Sequence, residues 1–421
     1  MLNLKFVREF PDIVKENTKN KNAHVDVDAI LAKDERRRSI ISEVEQLKNE
    51  RNIATKIIAD KKRNKENADG DINKMKNVSD TISNLDNELR EIETSLNDDL
   101  MRIPNILHES VPVGKDADDN VVVRSNGNPF EVKHNLNHIE IGKKLNIIDF
   151  ERGAKVTGSG FGFITGKGAK LERALINFFL DENTSRGYTE FFAPYLVNQN
   201  SMEGTGQLPK MAEDMYHCTE DNLYLIPTAE VPLTNYHNGE VLKEEQLPVK
   251  ICGYSPCFRR EAGSHGKDVR GFLRVHQFNK VELVKLVEPD NSFNELELLV
   301  QDVEQLLNKL KLTYRVLLLC SGDTSFTSAK TYDLEVWAGS EKKWLEVSSC
   351  SNFVDFQARR ANIRYKKNQD SKPDFVHTLN GSGLATPRIL VAIIEQYFDG
   401  EKLIIPEVLR KYTGFDTIKA E

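Results

Sequence analysis

Between Val27 and Ile103 the chain has no proline and one glycine, Gly70. Apolar residues recur at Val78, Ile82, Leu85, Leu89, Ile92 and Leu96, spaced 4, 3, 4, 3, 4. That is the a/d rhythm of a coiled coil. Ile40, Val44, Leu47, Ala54 and Ile58 extend one seam through the preceding half, interrupted by Arg51. The intervening "NKENADGD" carries turn residues. The pattern predicts two antiparallel helices of roughly 35 residues, about 50 Å long at 1.5 Å per residue.

Beyond residue 103 the periodicity changes. "RIPNILHESVPVGKDADDN" has prolines, glycine and acids but no repeat, and reads as a linker. "AKLERALINFFLDENTSRGY" places Leu171, Leu175, Phe178 and Phe179 on one helical face, with Gly187 past its end. "SFNELELLVQDVEQLLNKLKL" and "TPRILVAIIEQYF" are further helices, the latter with Pro387 in its first turn. The runs "TEFFAPYLV", "LYLIPTAEVPL", "FLRVHQFNKVELV", "YRVLLLC" and "KWLEVSSC" read as strands. Few βαβ units fit, so an α+β fold with an antiparallel sheet is expected. The division is residues 1–103 (hairpin arm at about 27–103), a linker at 104–130 and a mixed domain at 131–421.

Composition narrows the class. Charged residues make up 29% and apolar ones 39%, and no apolar run nears the roughly 20 residues that cross a bilayer. "MLNLKFVREFPDIVKEN" mixes charge into every turn and lacks the apolar core of a secretory signal, so a cytoplasmic, non-membrane protein is expected. Five scattered cysteines form no C-x-x-C pair or zinc spacing, which predicts reduced thiols and no zinc. The net charge of −7 counts mildly against a nucleic-acid binder, but charge is unevenly placed. Residues 33–65 carry eleven Lys/Arg against six Asp/Glu, and residues 66–99 three against ten. Either the helices complement each other across the seam, or the basic one lies along a phosphate backbone.

Several catalytic motifs fail. "SGFGFITGKGAK" is no Walker A loop: Gly168 follows Lys167, and Phe161 stands five positions before Gly166. Gly158, Gly160 and Gly162 do not make G-x-G-x-x-G, "HIE" lacks a following P-C-x-x-C, and no G-x-S-x-G occurs. What stands out is a polar set within the "PTAEVP", "FRREAG", "HQFNKVEL", "LEVSSCS" and "NGSGLA" segments: Thr228, Glu230, Arg259, Glu261, Phe278, Glu282, Glu346, Ser348, Ser349 and Ser382. Arg388 opens the last helix. Charges in strand patterns seldom face a core unpaired, so together these residues suggest a binding floor.

"FRREAGSHGKDVRGFLRVHQFNKVEL" resembles motif 2 of class II aminoacyl-tRNA synthetases, "GSGLATPRILVAIIEQY" motif 3, and "LINFFLDENTSRGYTEFFAPYLV" motif 1 with Pro194 as its proline. "PTAEVPLTN" is similar to the T-x-E serine loop, and the helical hairpin to the arm of bacterial-type seryl-tRNA synthetases. Arg260 stands where the family varies, and Thr386-Pro387 where many members have Val-Gly. The resemblance covers essentially the whole chain. It implies a class II catalytic domain behind a tRNA-binding arm, ATP-dependent serine activation, and charging of tRNA(Ser) and tRNA(Sec) by a homodimer joined through motif 1.

The resemblance also implies residue roles. Arg259 would bridge the serine carboxylate and the α-phosphate. Arg388 would hold the γ-phosphate and one adenine face, with Phe278 on the other. Glu261 would accept from the adenine amino group, and Arg260, Val275, Val347 and Ser348 complete the ATP site. Arg274 and Lys267 would meet pyrophosphate or the tRNA end. Glu346 and Ser349 would carry Mg²⁺. Thr228, Ala229 and Glu230 would hold serine's ammonium, and Glu282 with Ser382 its hydroxyl. Arg36, Arg37, Arg38, Lys48, Arg51, Lys61, Lys62 and Arg63 would line the tRNA. Two alternatives remain: a related enzyme that loads a carrier protein, opposed by the charged arm, and a non-catalytic scaffold, opposed by intact Arg259, Glu261 and Arg388.

Overall fold

A computed structural model describes residues 1–262 and 270–420. Two compact units divide at Pro104/Asn105. The first holds α1 (Leu4–Glu9), α2 (Pro11–Asn20), α3 (Val27–Arg63) and α4 (Asp69–Leu100). The Asp26 side chain caps α3 by accepting from Ala29 N at 2.9 Å. Lys61, Lys62 and Arg63 fill its last turn, and Asp69 and Asp71 the first turn of α4, each matching the local helix dipole. The helices have 37 and 32 residues. Ile40, Val44, Val78, Ile82 and Leu85 are buried between them, with Leu47, Ala54, Ile58, Leu89 and Ile92 packed alongside. Each fully buried aliphatic contributes about 1.5–3 kcal/mol. The break falls at residues 64–68, so Gly70 belongs to α4 rather than to the turn.

The second unit is built on eight strands: β1 (Val121–Asn126), β2 (Thr189–Glu190), β3 (Val249–Phe258), β4 (Gln277–Val287), β5 (Tyr314–Leu318), β6 (Lys330–Ala338), β7 (Lys343–Asn352) and β8 (His377–Ala385). Their order is β1-β5-β6-β7-β8-β4-β3-β2, antiparallel except for β2 with β3. Three helices, α5 (Gly166–Thr184), α6 (Ser292–Lys309) and α7 (Thr386–Tyr397), share one apolar core with the sheet. Leu171, Phe178, Leu299 and Ile393 meet Val281, Leu283, Leu334 and Val336 there. Strand residues alternate between faces. Phe278, Lys280 and Glu282 on β4, and Asp333 and Glu335 on β6, therefore belong to the opposite face.

The α+β class and the helical hairpin match expectation, but several elements differ. The "EVPLTN" part of an expected strand is a short helix, Glu230–Asn235. Pro232 lies in its first turn, where a missing N–H is harmless. Strand β4 starts at Gln277, after "FLRV". Residues 104–130, expected as a linker, contain β1, and the Asn105 and His108 amides donate to Phe326 and Ala329 carbonyls. Among the described residues, no helix is long and apolar enough to cross a membrane.

Candidate active site

A hollow of about 180 Å³ opens on the polar face of the sheet. Arg259, Glu261, Arg274, Val275, Phe278, Lys280, Glu346, Val347, Ser348, Ser382 and Arg388 all line it. Strand ends and one helix start place them. Arg259 follows directly on β3, Glu346 and Ser348 lie on β7, Ser382 on β8, and Arg388 in the first turn of α7. Ala385, Pro387 and Arg388 also border the hollow, so the positive end of the α7 dipole meets it.

Two guanidiniums are tethered mainly through main-chain oxygens. Arg259 Nε donates to Pro227 O at 3.3 Å, and its guanidinium lies 5.2 Å from the Phe278 ring centre. Arg388 Nε donates to Leu273 O at 3.2 Å and Nη1 to Glu346 O at 2.8 Å, with Glu346 Oε2 3.7 Å away. Carbonyl tethers orient a guanidinium while leaving its charge for an oxyanion. Arg274 is different: its charge is matched by Glu261. Glu261 holds φ at +53°, an uncommon conformation for a residue with a side chain.

Beside the hollow lies a buried polar chain. Glu282 Oε2 accepts from Lys280 Nζ at 2.5 Å and from Thr228 Oγ1 at 3.0 Å. The Glu230 amide donates to Thr228 Oγ1 at 3.1 Å, and Gln357 Nε2 donates to Glu230 Oε1 at 2.7 Å. Burial, with the Glu282 charge adding to it, pushes the Glu230 carboxyl up to about 7. Ser382 pairs with Glu282 across β4 and β8, and its carbonyl accepts from Ser348 Oγ at 2.6 Å. Thr228, Ala229 and Glu230 thus adjoin the hollow without lining it.

A third group joins β6 and β7. Asp333 pairs with Ser349 across the strands, and Glu335 with Glu346. The Ser349 side chain hydrogen-bonds Asp333, yet Asp333 Oδ1 is buried with no partner. Burial, then the Glu346 charge, holds the Asp333 carboxyl well above its ordinary value. An unsatisfied buried carboxylate beside a second carboxylate and a hydroxyl is a hard oxygen donor set, and these residues fit Mg²⁺.

Other expected residues fall elsewhere. Arg260 is exposed outside the hollow, its amide donating to Asp214 O at 2.9 Å. Lys267, and His265 two positions before it, lie outside the described residues. Along the hairpin, Arg36 pairs with Glu88 at 2.7 Å, Lys48 with Asp86 at 3.7 Å and Lys61 with Asp71 at 2.5 Å. Arg37 reaches Glu93 and Asp34, Arg38 reaches Asp34, and Arg63 reaches Asp60. Among the described residues, Arg51 and Lys62 form no ion pair. Sequence reasoning missed Lys280, Asp333 and Gln357. Lys280 was within reach, because period two puts it on one face with Phe278 and Glu282. The five cysteines carry free thiols.

Residues 215–397 match the family model for the tRNA synthetase class II core domain (G, H, P, S and T), and residues 1–107 that for the seryl-tRNA synthetase N-terminal domain. A serine–tRNA ligase of Chlorobaculum parvum is 50% identical over 430 residues, covering 100% of both chains. One of Chloroherpeton thalassium is 53% identical over 428 residues, covering 99% of this chain and 100% of the relative. The seryl-tRNA synthetase of Pyrococcus horikoshii, solved in complex with ATP, superposes with a TM-score of 0.94 at 37% identity over 100% of each chain. A prolyl-tRNA synthetase of Giardia lamblia is similar in fold alone, with a TM-score of 0.57 at 14% identity over 67% of this chain and 57% of its own.

Proposed function

Because the chain belongs to the seryl-tRNA synthetase family of class II enzymes, we propose that it is a ligase working in two steps at the hollow described above. In the first, the carboxylate of L-serine attacks the α-phosphorus of ATP, forming seryl-adenylate and expelling pyrophosphate. In the second, the terminal ribose hydroxyl of tRNA takes the seryl group and AMP leaves. Serine's carboxylate is already ionised at neutral pH, so no general base is needed for the first step. Positioning and charge neutralisation are needed instead.

The observation that carries this reading is the placement of Arg259 and Arg388 around one hollow, next to the Thr228–Glu282–Lys280 chain. Arg259 would span the serine carboxylate and the α-phosphate. Arg388 would hold the γ-phosphate and adenine, opposite Phe278, while Glu261 accepts from the adenine amino group. Val275, Val347 and Ser348 would wall the site, with Arg260 and Arg274 at its edge. Thr228, Ala229 and Glu230 would receive serine's ammonium, and Glu282 with Ser382 its hydroxyl. Mg²⁺, held by Glu346, Ser349 and Asp333, would supply charge neutralisation at the phosphates.

The substrates are tRNA(Ser) and tRNA(Sec), met by the basic face of α3 through shape and backbone. A homodimer through motif 1 fits the exposure of Phe192 and Leu196 within it. Pyrophosphate exchange into ATP against all twenty amino acids tests the reading. Serine alone should support fast exchange, and exchange with another amino acid but not serine would overturn it.

A further inference from the structure

His138 and Glu395 have no place in the chemistry above, yet both are fully buried. His138 Nδ1 is 3.3 Å from Glu395 Oε1, which also accepts from the His138 amide at 3.3 Å. His138 Nε2 accepts from the Phe272 amide at 3.3 Å. An imidazole that accepts at Nε2 and faces a carboxylate at Nδ1 is the neutral Nδ1–H form. Glu395 Oε2 in turn accepts from the Ser340 and Glu341 amides at 2.9 and 3.4 Å, and the Glu341 carboxylate stands 3.6 Å from Nδ1. Arg270 Nη2 is 3.5 Å from Glu341. Gly271, at φ +57°, packs so tightly that a Cβ there would collide with His138 Nε2.

These contacts close a ring. Phe272 and Leu273 line the hollow, and Leu273 O receives Arg388 Nε. Arg388 and Glu395 lie seven residues apart on α7, two turns and therefore one face. The ring runs from Glu395 through His138, Phe272, Leu273 and Arg388 and back along the helix.

We infer that His138 is a positioning residue for the ATP half-site: its Nε2 fixes the Phe272–Leu273 limb against α7 and so sets where Arg388 and the adenine-facing wall stand. The inference rests on the ATP site proposed above. Thr228, Glu230 and Glu282, proposed to bind serine, share no hydrogen bond or ion pair with a member of the ring, so nucleotide and amino-acid binding should respond separately.

Two substitutions separate the ring nitrogens. His138→Asn keeps a donor near the Nδ1 position but has no atom that reaches Phe272. His138→Gln keeps an acceptor near the Nε2 position. In serine-dependent pyrophosphate exchange, His138→Asn should raise KM for ATP about tenfold, the equivalent of about 1.4 kcal/mol. KM for serine should stay within about twofold, and the melting temperature within the few degrees that losing one buried hydrogen bond costs. His138→Gln should keep KM for ATP near the parent value.

Glu395→Gln is a second route that leaves His138 in place. The Ser340 and Glu341 amides hold the new carbonyl, so the amide NH₂ faces His138, loses the bond from its backbone N–H and drives the ring to the Nε2–H tautomer, which cannot accept from Phe272. Its ATP KM should rise like that of His138→Asn. Parallel shifts in both KM values, no shift in His138→Asn and Glu395→Gln, or equal damage in His138→Gln would overturn the inference. If the parent protein gives no serine-dependent exchange, the functional reading fails first, and the two failures are distinguishable.

Discussion

Raising the pH from about 5.5 to about 7.5 should tighten serine binding roughly 20-fold, because the Glu230 carboxyl, pushed up to about 7, then ionises. Serine's ammonium, proposed to sit against Glu230, would favour the carboxylate form and expel a proton on binding. Well below pH 7 the affinity should therefore change about tenfold per pH unit, and above it the dependence should flatten. The stability of the ligand-free protein should follow the opposite trend. A carboxyl raised from its ordinary 4.5 to about 7 binds more protons folded than unfolded in that window. Its contribution is full below pH 4.5 and falls as pH rises, by roughly 3 kcal/mol at most over the window. Calorimetric titration of serine in two buffers of different ionisation enthalpy reads both affinity and proton release. Glu230→Gln should bind serine more weakly, with no pH slope and no proton release. A parent protein whose serine affinity is flat between pH 5.5 and 7.5, or a slope that survives in Glu230→Gln, would refute the placement of the ammonium.

Glu282→Ala should lower serine kcat/KM by about 10²–10³-fold, since it strands the buried Lys280 ammonium as well as losing the hydroxyl acceptor; ATP affinity should be nearly kept, and unchanged exchange kinetics would remove Glu282 from the pocket. Asp333→Asn should raise the Mg²⁺ concentration for half-maximal exchange about tenfold and, read independently, weaken Mn²⁺ binding by electron paramagnetic resonance; unaltered Mn²⁺ binding would exclude Asp333 as a ligand. Excising residues 48–82 and closing the shortened hairpin with a turn should abolish tRNA charging and spare pyrophosphate exchange. Equal loss of both would contradict the role given to the arm.

Legibility in the sequence followed the range of the interactions. The hairpin could be read because its seam from Ile40 to Leu96 is a local repeat, visible without knowing the partner. Strand β8, "HTLNGSGLA", could not, since it shows no apolar-polar alternation and is held by neighbours on both edges. Arg259, Glu282 and Arg388 stood out as charges in or beside strand and helix patterns, and motif wording then gave them their roles. Asp333 escaped because its nearness to Glu346 and Ser349 depends on the β6–β7 register, including an irregularity between Leu334 and Glu335. Gln357 escaped for a similar reason: it reaches Glu230 from a short helix 127 residues further along.

Six of the eight cations assigned to the tRNA face already sit beside carboxylates, Arg37 and Arg38 sharing Asp34, so a polyanion must compete for them. Each pair it breaks frees a negative charge beside the phosphates. The counterions released on docking should then number nearer two, for Arg51 and Lys62, than eight. Affinity on that footing falls only gently as salt is added. Discrimination would then pass to contour, with the double rod serving as a gauge laid against folded RNA more than as a magnet for it.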